Sequence, residues 1–565
     1  TSLYSSAQDI SLQLQKVPQL SNQALQAQWK KVSRNVTVGY VSTGQRFARE
    51  LFPSEKLNSE YVSYAWKNER VYAQVLVSSK ISINNLRVIV SDLKNETGLV
   101  LPKEQISVGF LDYVLTDEFR DGCGHRKSTD FDSSWVADII NTKVSSKTVS
   151  KNNTQPVWVT INIPAKQAAG IYNGQIIVKA DKEYSLPLTI VVGENILPAP
   201  RDWSFQLDYW QHPAAIARVH DLKLWSDEHF NSMRSYYSML ANAGQKIITA
   251  SILNEPWGHQ TFDDFPSLIK WTRKKDGTWS FDYGLFDKYI HFVMSCGITE
   301  RINCYSMVPW KIAFQYFDET LQRDTVFTEA IGTAAYNAFW KTMLTDFTAH
   351  LKKKGWFNIT TIAMDERPMQ AMQSVISLLK SIDPNWKISL AGDWHPEIAE
   401  DIYDYCVASR FKLDDELLQN RKQAGKITTW YVCCTEKYPN MFTFSPPAES
   451  VWAGWYTAAS GFEGFLRWAY NSWTKSPLTD TRFVTWPAGD TYQVYPGPLS
   501  SVRFEKLIEG IQDYEKIIQL RKLYKANNES TKLLELETAL KNFEIENLSK
   551  QSAQEMLDKY KHLLR

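Results

Sequence analysis

From Phe205 to Trp468 the chain repeats one pattern, a short apolar run of strand length followed by a longer stretch with helical character. The runs are Phe205-Gln-Leu-Asp-Tyr209, Lys246-Ile-Ile-Thr-Ala-Ser251, Arg301-Ile-Asn-Cys-Tyr305, Thr360-Thr-Ile-Ala-Met364, Lys387-Ile-Ser-Leu-Ala391, Val407-Ala-Ser-Arg410, Lys426-Ile-Thr-Thr-Trp-Tyr-Val432 and Gly464-Phe-Leu-Arg-Trp468. Strands that alternate with helices pair in parallel, and eight such units close into a (β/α)8 TIM barrel whose strand C-termini face the substrate. The barrel is expected over 201–498.

The flanks read differently. Between Asn35 and Val192, runs such as Arg70-Val-Tyr-Ala-Gln-Val-Leu-Val77, Leu86-Arg-Val-Ile-Val-Ser91, Val157-Trp-Val-Thr-Ile-Asn-Ile163 and Gly174-Gln-Ile-Ile-Val-Lys-Ala180 alternate with period two and are punctuated by Gly, Asn and Pro. That pattern predicts an antiparallel β-sandwich over 23–196, with a linker at Leu197-Pro-Ala-Pro-Arg201. Residues 1–22, Gln-rich around Ser11-Leu-Gln-Leu-Gln, form a lead-in. After Pro498 the apolar residues Leu507, Ile508, Ile511, Tyr514, Ile518, Leu533, Leu536 and Leu540 take helical spacing, so 499–565 is expected to be a helical extension. The fold class is therefore multidomain, α/β plus all-β, which suits 565 residues.

Composition narrows the partners. Lys and Arg number 63 against 62 acids, and a net charge of +1 gives no field for nucleic acid. No apolar run reaches the length of a membrane span. Cys123, Cys296, Cys304, Cys406, Cys433 and Cys434 are too few and too irregular for a disulfide framework or a zinc set, and no HExxH or HxH cluster is present, so neither metal nor cofactor is expected. Thr1 in place of an initiator Met is read as a removed leader or a trimmed chain, with a secreted, periplasmic or cell-surface location as the expectation. Aromatic residues make up 13% and include 21 Trp, a supply that can serve a large core or stack on sugar rings.

Asp365-Glu366 stands where the apolar run Ile359-Thr-Thr-Ile-Ala-Met364 stops, at the end of the fourth strand. Adjacent carboxylates repel, which raises one pKa while the other group stays ionised, the division of labour that glycosidic-bond hydrolysis needs. The neighbouring strand ends carry Tyr209-Trp210-Gln211-His212, Asn254-Glu255-Pro256-Trp257-Gly258-His259, Met307-Val-Pro-Trp310, Asp393-Trp394-His395-Pro396, Trp430-Tyr431 and Trp468-Ala-Tyr470-Asn471-Ser-Trp473. Asn254-Glu255-Pro256 offers an alternative: such a triplet is the acid signature of many two-carboxylate glycosidases, although there it follows the fourth strand. Its partner would be Glu436, the acid that follows the seventh. A third reading keeps the aromatic mouth as a glycan-binding surface without catalysis.

The segment Gly489-Asp490…Tyr495-Pro496-Gly497, followed by Ser501-Val-Arg503-Phe-Glu505…Glu509-Gly510-Ile-Gln-Asp513-Tyr514-Glu515, resembles glycoside hydrolase family 123, whose members include retaining β-N-acetylgalactosaminidases. Ile508 departs from the basic residue that relatives often carry there. The resemblance implies substrate-assisted hydrolysis of terminal β-linked N-acetylgalactosamine on glycans or glycolipids, in which the 2-acetamido oxygen attacks the anomeric carbon and gives an oxazoline. Glu366 would then be the acid and base, and Asp365 would orient the acetamido N–H. Tyr209, Trp310, Trp394, His395, Trp430, Tyr431, Trp468 and Asn471 are expected to bind the terminal sugar. Arg503 and Asp490 can instead form a salt-bridged anchor between barrel and tail helices.

Overall fold

The computed structural model describes residues 22–54, 56–117, 123–124, 133–483 and 485–565, so the lead-in lies outside them apart from Asn22. The described chain divides into two compact units. One holds Pro200–Cys433 and Ser460–Trp473. The other holds the residues up to Ala199 together with Cys434–Ala459 and Thr474–Arg565. The sequence reading ends the barrel at 498, whereas segment 474–498 and the helix Ala448–Ala459 group with the sandwich strands and the tail.

The first unit is the barrel. Its strands are β1 (Gln206–Tyr209), β2 (Ile247–Ser251), β3 (Arg301–Tyr305), β4 (Thr360–Asp365), β5 (Lys387–Gly392), β6 (Asp404–Ala408), β7 (Ile427–Tyr431) and β8 (Gly464–Arg467). Each pairs in parallel with the next from β2 to β8, β8 pairs with β1, and a bridge between Leu207 and Gln245 closes the ring. The strands are buried almost throughout, which is why they read as continuous apolar runs rather than alternating ones. Only β6 begins three residues before its expected start at Val407. Asp404 masks that start in sequence, because it is a buried acid inside the barrel, 3.4 Å from Arg301 Nη2.

Side-chain alternation divides the barrel wall. Gln206, Asp208, Arg301, Asn303, Asp404 and Thr429 line a small interior cavity with Tyr305, Ser389 and Cys406. Arg301 Nη1 donates to Gln206 Oε1 at 2.6 Å, and Thr361 Oγ1 donates to Asn303 Oδ1 at 2.8 Å, so the interior is a polar plug. Two insertions absent from the sequence reading, Lys270–Arg273 with Trp279–Asp282 after β2 and Phe314–Asp318 with Arg323–Phe327 after β3, join into a four-stranded sheet. Trp271 and Phe327 of that sheet stack on Phe339 of the helix Ala334–Lys354, with ring centres 5.2 and 4.5 Å apart.

The second unit contains the sandwich. One sheet orders the strands Val36–Val41, Arg70–Ser79, Asn153–Asn162, Ile106–Asp117, Ser133–Asn141 and Ser500–Ser501; the other orders Tyr61–Lys67, Glu183–Ile196, Gly170–Lys179, Ile83–Val90 and Lys147–Val149. The inward positions of both sheets, among them Val75, Val157, Leu86, Ile176 and Ile190, make one core. The helix Val502–Ala526 belongs to this unit and carries the tail motif that begins at Ser501. Arg503 Nε pairs at 2.9 Å with Asp138, which ties the helix to a sandwich strand. Glu505 accepts from Tyr72, Arg70 and Ser500, and Trp455 Nε1 donates to Asp513 at 2.9 Å. A methyl at Gly454 would collide with Gly510 O, so the two helices cross where only glycines fit. Cys123 and Cys434 form a disulfide, a pairing that the irregular spacing hid because 311 residues separate them. Among the described residues no helix is long and apolar enough to cross a membrane.

Candidate active site

Asp365 ends β4 and Glu366 follows it. Successive side chains of a strand point to opposite faces, so two adjacent carboxyls serve one pocket only if the backbone turns between them. Glu366 makes that turn: its φ is +48°, in the left-handed region, and its N–H donates to Ala391 O on β5 at 2.7 Å. The close approach requires Gly392, where a methyl would stand 3.3 Å from the Glu366 Cα.

Each carboxyl has its own donor. Trp310 Nε1, from the loop after β3, donates to Asp365 Oδ2 at 3.0 Å. Tyr431, the last residue of β7, donates its hydroxyl to Glu366 Oε1 at 2.7 Å. Arg367 stacks 4.1 Å above the Trp310 ring and donates from Nε to Asp365 O at 2.6 Å, fixing the ring and the turn together. Burial and, second, the charge of Glu366 push the Asp365 carboxyl up to about 7, against the indole bond and Arg367, which pull it down. The pair therefore holds one proton near neutrality. Burial and the Glu366 charge also drive the Tyr431 hydroxyl far above its ordinary range, so it acts as a donor.

Around the carboxyls lies an aromatic wall. Trp210, Trp257, Phe265, Tyr305, Tyr431 and Leu466 pack as one cluster, with Trp310, Phe411 and Trp468 partly buried against it. Trp210, Trp257 and Tyr305 are mutual neighbours at 4.8 to 5.0 Å. Of the expected sugar contacts, Trp310, Tyr431 and Trp468 belong to this assembly. Trp394 lies half-buried at the rim on Tyr405, at 4.8 Å, and His395 is held beside it by a backbone bond to the Tyr405 hydroxyl.

Three of the expected sugar contacts are fully buried. Tyr209 and Trp430 occupy the phase opposite to Asp208 and Tyr431, and both are fully buried; Trp430 packs on Phe465 at 4.7 Å, outside the barrel bore. Asn471 is also fully buried, exchanging two 2.9 Å bonds with the His212 backbone and so clamping the β1 and β8 loops together. Strand phase identifies residues that sequence reading passed over: Trp210 and Tyr305 share the inward phase of Asp208 and Asn303. Trp257 and Phe265 come from the loop after β2, where no strand phase could point to them.

The alternative carboxylates part company. Glu255 is buried, with φ +53°, and its oxygens accept from the backbone N–H of Phe265 and, at 2.8 Å, of His259. Burial pushes it up to about 7 against those two bonds. Glu436 belongs to the other compact unit. Glu255, His259 and Asp264 have oxygen and nitrogen atoms within 4.8 Å of one another, a spacing a cation could use, yet His259 Nδ1 bonds Asp264 Oδ1 at 2.8 Å and the Glu255 oxygens are already engaged.

A barrel with a carboxyl pair at a strand end and an aromatic wall has the make-up of a sugar-cleaving site, and comparison with known proteins agrees. Residues 210–520 match the family model described as glycoside hydrolase 123, catalytic domain, and residues 40–180 match the glycoside hydrolase 123 N-terminal domain. No curated protein matches. Among solved structures, a family 123 glycoside hydrolase from Clostridium perfringens, studied for glycolipid glycan hydrolysis, superposes with a TM-score of 0.85 at 27% identity, covering 94% of this chain and 98% of its own. A family 39 glycoside hydrolase from Bacteroides cellulosilyticus WH2 follows at TM-score 0.33 and 8% identity, over 80% of this chain and 82% of its own. Matched through both its sandwich and its barrel, the chain belongs to glycoside hydrolase family 123.

Proposed function

We propose that this glycoside hydrolase is an exo-acting, retaining β-N-acetylgalactosaminidase that works by substrate assistance. The observation that carries the reading is the turn at Glu366 between two adjacent carboxyls that are held separately, Asp365 by Trp310 and Glu366 by Tyr431. An adjacent pair on one loop suits a different division of labour from that of ordinary retaining enzymes, whose nucleophile and acid flank the glycosidic bond about 5–5.5 Å apart. It can serve a substrate that brings its own nucleophile.

In the free enzyme burial and, second, the Glu366 charge favour the protonated form of Asp365. An acetamido N–H reaching Asp365 favours its ionised form, and the proton passes to Glu366. Glu366 then protonates the leaving oxygen as the acetamido oxygen attacks the anomeric carbon, while Asp365 stabilises the charge of the forming ring. In the second half Glu366 takes a proton from water, which opens the oxazoline with overall retention. Tyr431 holds Glu366 in place throughout, and Trp310 does the same for Asp365. The substrate is a glycan or glycolipid with terminal β-linked N-acetylgalactosamine, in keeping with the glycolipid glycans hydrolysed by the Clostridium perfringens relative. The Cys123–Cys434 disulfide supports an exported protein, since such bonds persist in oxidising compartments.

The test is hydrolysis of matched aryl β-glycosides of N-acetylgalactosamine, N-acetylglucosamine and galactose, with a thiazoline inhibitor. Turnover of the first, blocked by the thiazoline, is expected; efficient, thiazoline-insensitive cleavage of the galactoside would overturn the mechanism. As pH rises through about 7 the pair loses its proton, so kcat/KM should fall on that side.

A further inference from the structure

The Asn254-Glu255-Pro256 triplet has no place in the chemistry above, although it resembles a catalytic motif. We propose that Glu255 is a positioning residue for Asp365 and acts through Trp310. Its carboxylate closes the loop 255–265 on itself: Phe265 N donates to Oε1, His259 N donates to Oε2 at 2.8 Å, and Glu255 N donates back to Phe265 O at 2.8 Å. The closed loop reaches Trp310 by two contacts. Trp310 N donates to Pro256 O at 2.9 Å, and Gly258 lies so close that a methyl there would stand 3.3 Å from the Trp310 Cβ. Trp310 then presents Nε1 to Asp365. The path therefore runs from a buried carboxylate through one backbone bond to the indole that holds the reacting carboxyl. Loss of the carboxylate leaves the buried Phe265 N–H and the part-buried His259 N–H without their acceptor, and the loop must shift to satisfy them.

The effect should be visible in the pH profile. The groups facing Asp365 are Glu366 and Arg367 on its own loop, the Trp310 indole, Tyr305 of β3, Cys406 of β6 and Tyr431 of β7; those facing Glu255 are His259 and Asp264. The indole bond lowers the Asp365 pKa, so losing it lets the pair keep its proton to higher pH.

The experiment is a double-mutant cycle of Glu255→Gln and Trp310→Phe, read as kcat, KM and the basic limb of kcat/KM with whichever glycoside the enzyme cleaves. Gln can accept one of the two backbone bonds and must oppose the other with its own NH2. Each single variant should lose about tenfold in kcat, KM should change less, and the basic limb should move upward in both. The double variant should lose no more than the worse single one, because both act on the same contact. Gly258→Ala, which keeps the Glu255 carboxylate but strains the loop at φ +65° and presses on Trp310, should move the limb in the same direction, and it tests the path if Glu255→Gln folds poorly. Losses that multiply, or a limb that stays in place, overturn the proposal. Disappearance of the limb in Glu255→Gln would make Glu255 a reacting group and overturn it as well. The inference rests on Asp365 and Glu366 being the reacting pair: full activity of Asp365→Asn and Glu366→Gln would sink that reading, whereas a dead pair with multiplying losses sinks only the role of Glu255.

Discussion

The loops after β2 and β4 look alike by the usual signs of a catalytic carboxylate. Each puts a glutamate just past a barrel strand in the left-handed region, at +53° for Glu255 and +48° for Glu366, a conformation that non-glycine residues seldom adopt and that is enriched at functional sites. Each holds a carboxyl raised to about 7, Glu255 in one and Asp365 in the other. What separates them is where the oxygens point. Glu255 gives both to backbone N–H groups of its own loop, while Glu366 is exposed and accepts from the single hydroxyl of Tyr431. A raised pKa and a left-handed backbone thus do not by themselves single out a reacting carboxyl, and on the proposed mechanism spare acceptor capacity separates Glu366 from Glu255.

The largest expected effect tests that distinction. On the proposed mechanism Glu366→Gln removes the proton donor to the leaving oxygen and should lower kcat/KM by about 10²- to 10⁴-fold, well beyond the loss expected at Glu255. An aryl glycoside with a very acidic leaving group needs little protonation, so it should recover much of its first-step rate in this variant. Absence of that recovery, with the protein folded, would move the acid elsewhere.

Asp365→Asn comes next, with a loss of about 10²- to 10³-fold from weaker charge stabilisation. It should also change stability in a defined direction. A carboxyl raised from 3.8 to about 7 favours the folded state below its unfolded pKa, and that advantage is lost as pH rises through about 7. Asparagine removes the dependence, so the variant should melt higher than the parent at pH 8 and gain nothing at pH 4. Equal melting shifts at both pH values would show that Asp365 is not the strained member of the pair.

Tyr431→Phe should cost about 10- to 100-fold in kcat, the weight of one hydrogen bond to a charged acceptor, with little change in melting temperature because the ring stays in the aromatic wall. A loss in KM alone would make Tyr431 a sugar contact and leave Glu366 held by something else.

How much of this was legible in sequence follows from strand periodicity. Seven of the eight barrel runs were recognisable because their outward positions are mostly apolar even where the bore side is polar; β6 was displaced by Asp404, an acid that pairs inside the bore with Arg301. The carboxyl pair was visible because it interrupts an apolar run. The aromatic wall was only half visible. Adjacent candidates such as Trp430 and Tyr431 cannot both face the bore, and phasing them against Asp208, Tyr305 and Asp365 separates the lining residue from the packing residue. Trp257 and Phe265 could not be phased at all, since a loop closed by Glu255 brings them in, and the disulfide between Cys123 and Cys434 depends on a chain path of 311 residues.

The smallest effect on activity should come from Trp430, the neighbour of Tyr431 with the opposite phase. Trp430→Leu deletes a fully buried ring that packs on Phe465 outside the bore, so unfolding in urea should show a loss of about 2–4 kcal/mol. Turnover measured well below the unfolding transition should stay within about twofold of the parent, because the deletion leaves the carboxyl pair and its donors in place. The two neighbours would then show opposite behaviour, Tyr431 losing rate and keeping stability, Trp430 losing stability and keeping rate. A tenfold fall in kcat/KM for folded Trp430→Leu would mean that the outer face of β7 transmits its packing to Glu366, and strand phase would no longer separate the residues that act from those that support.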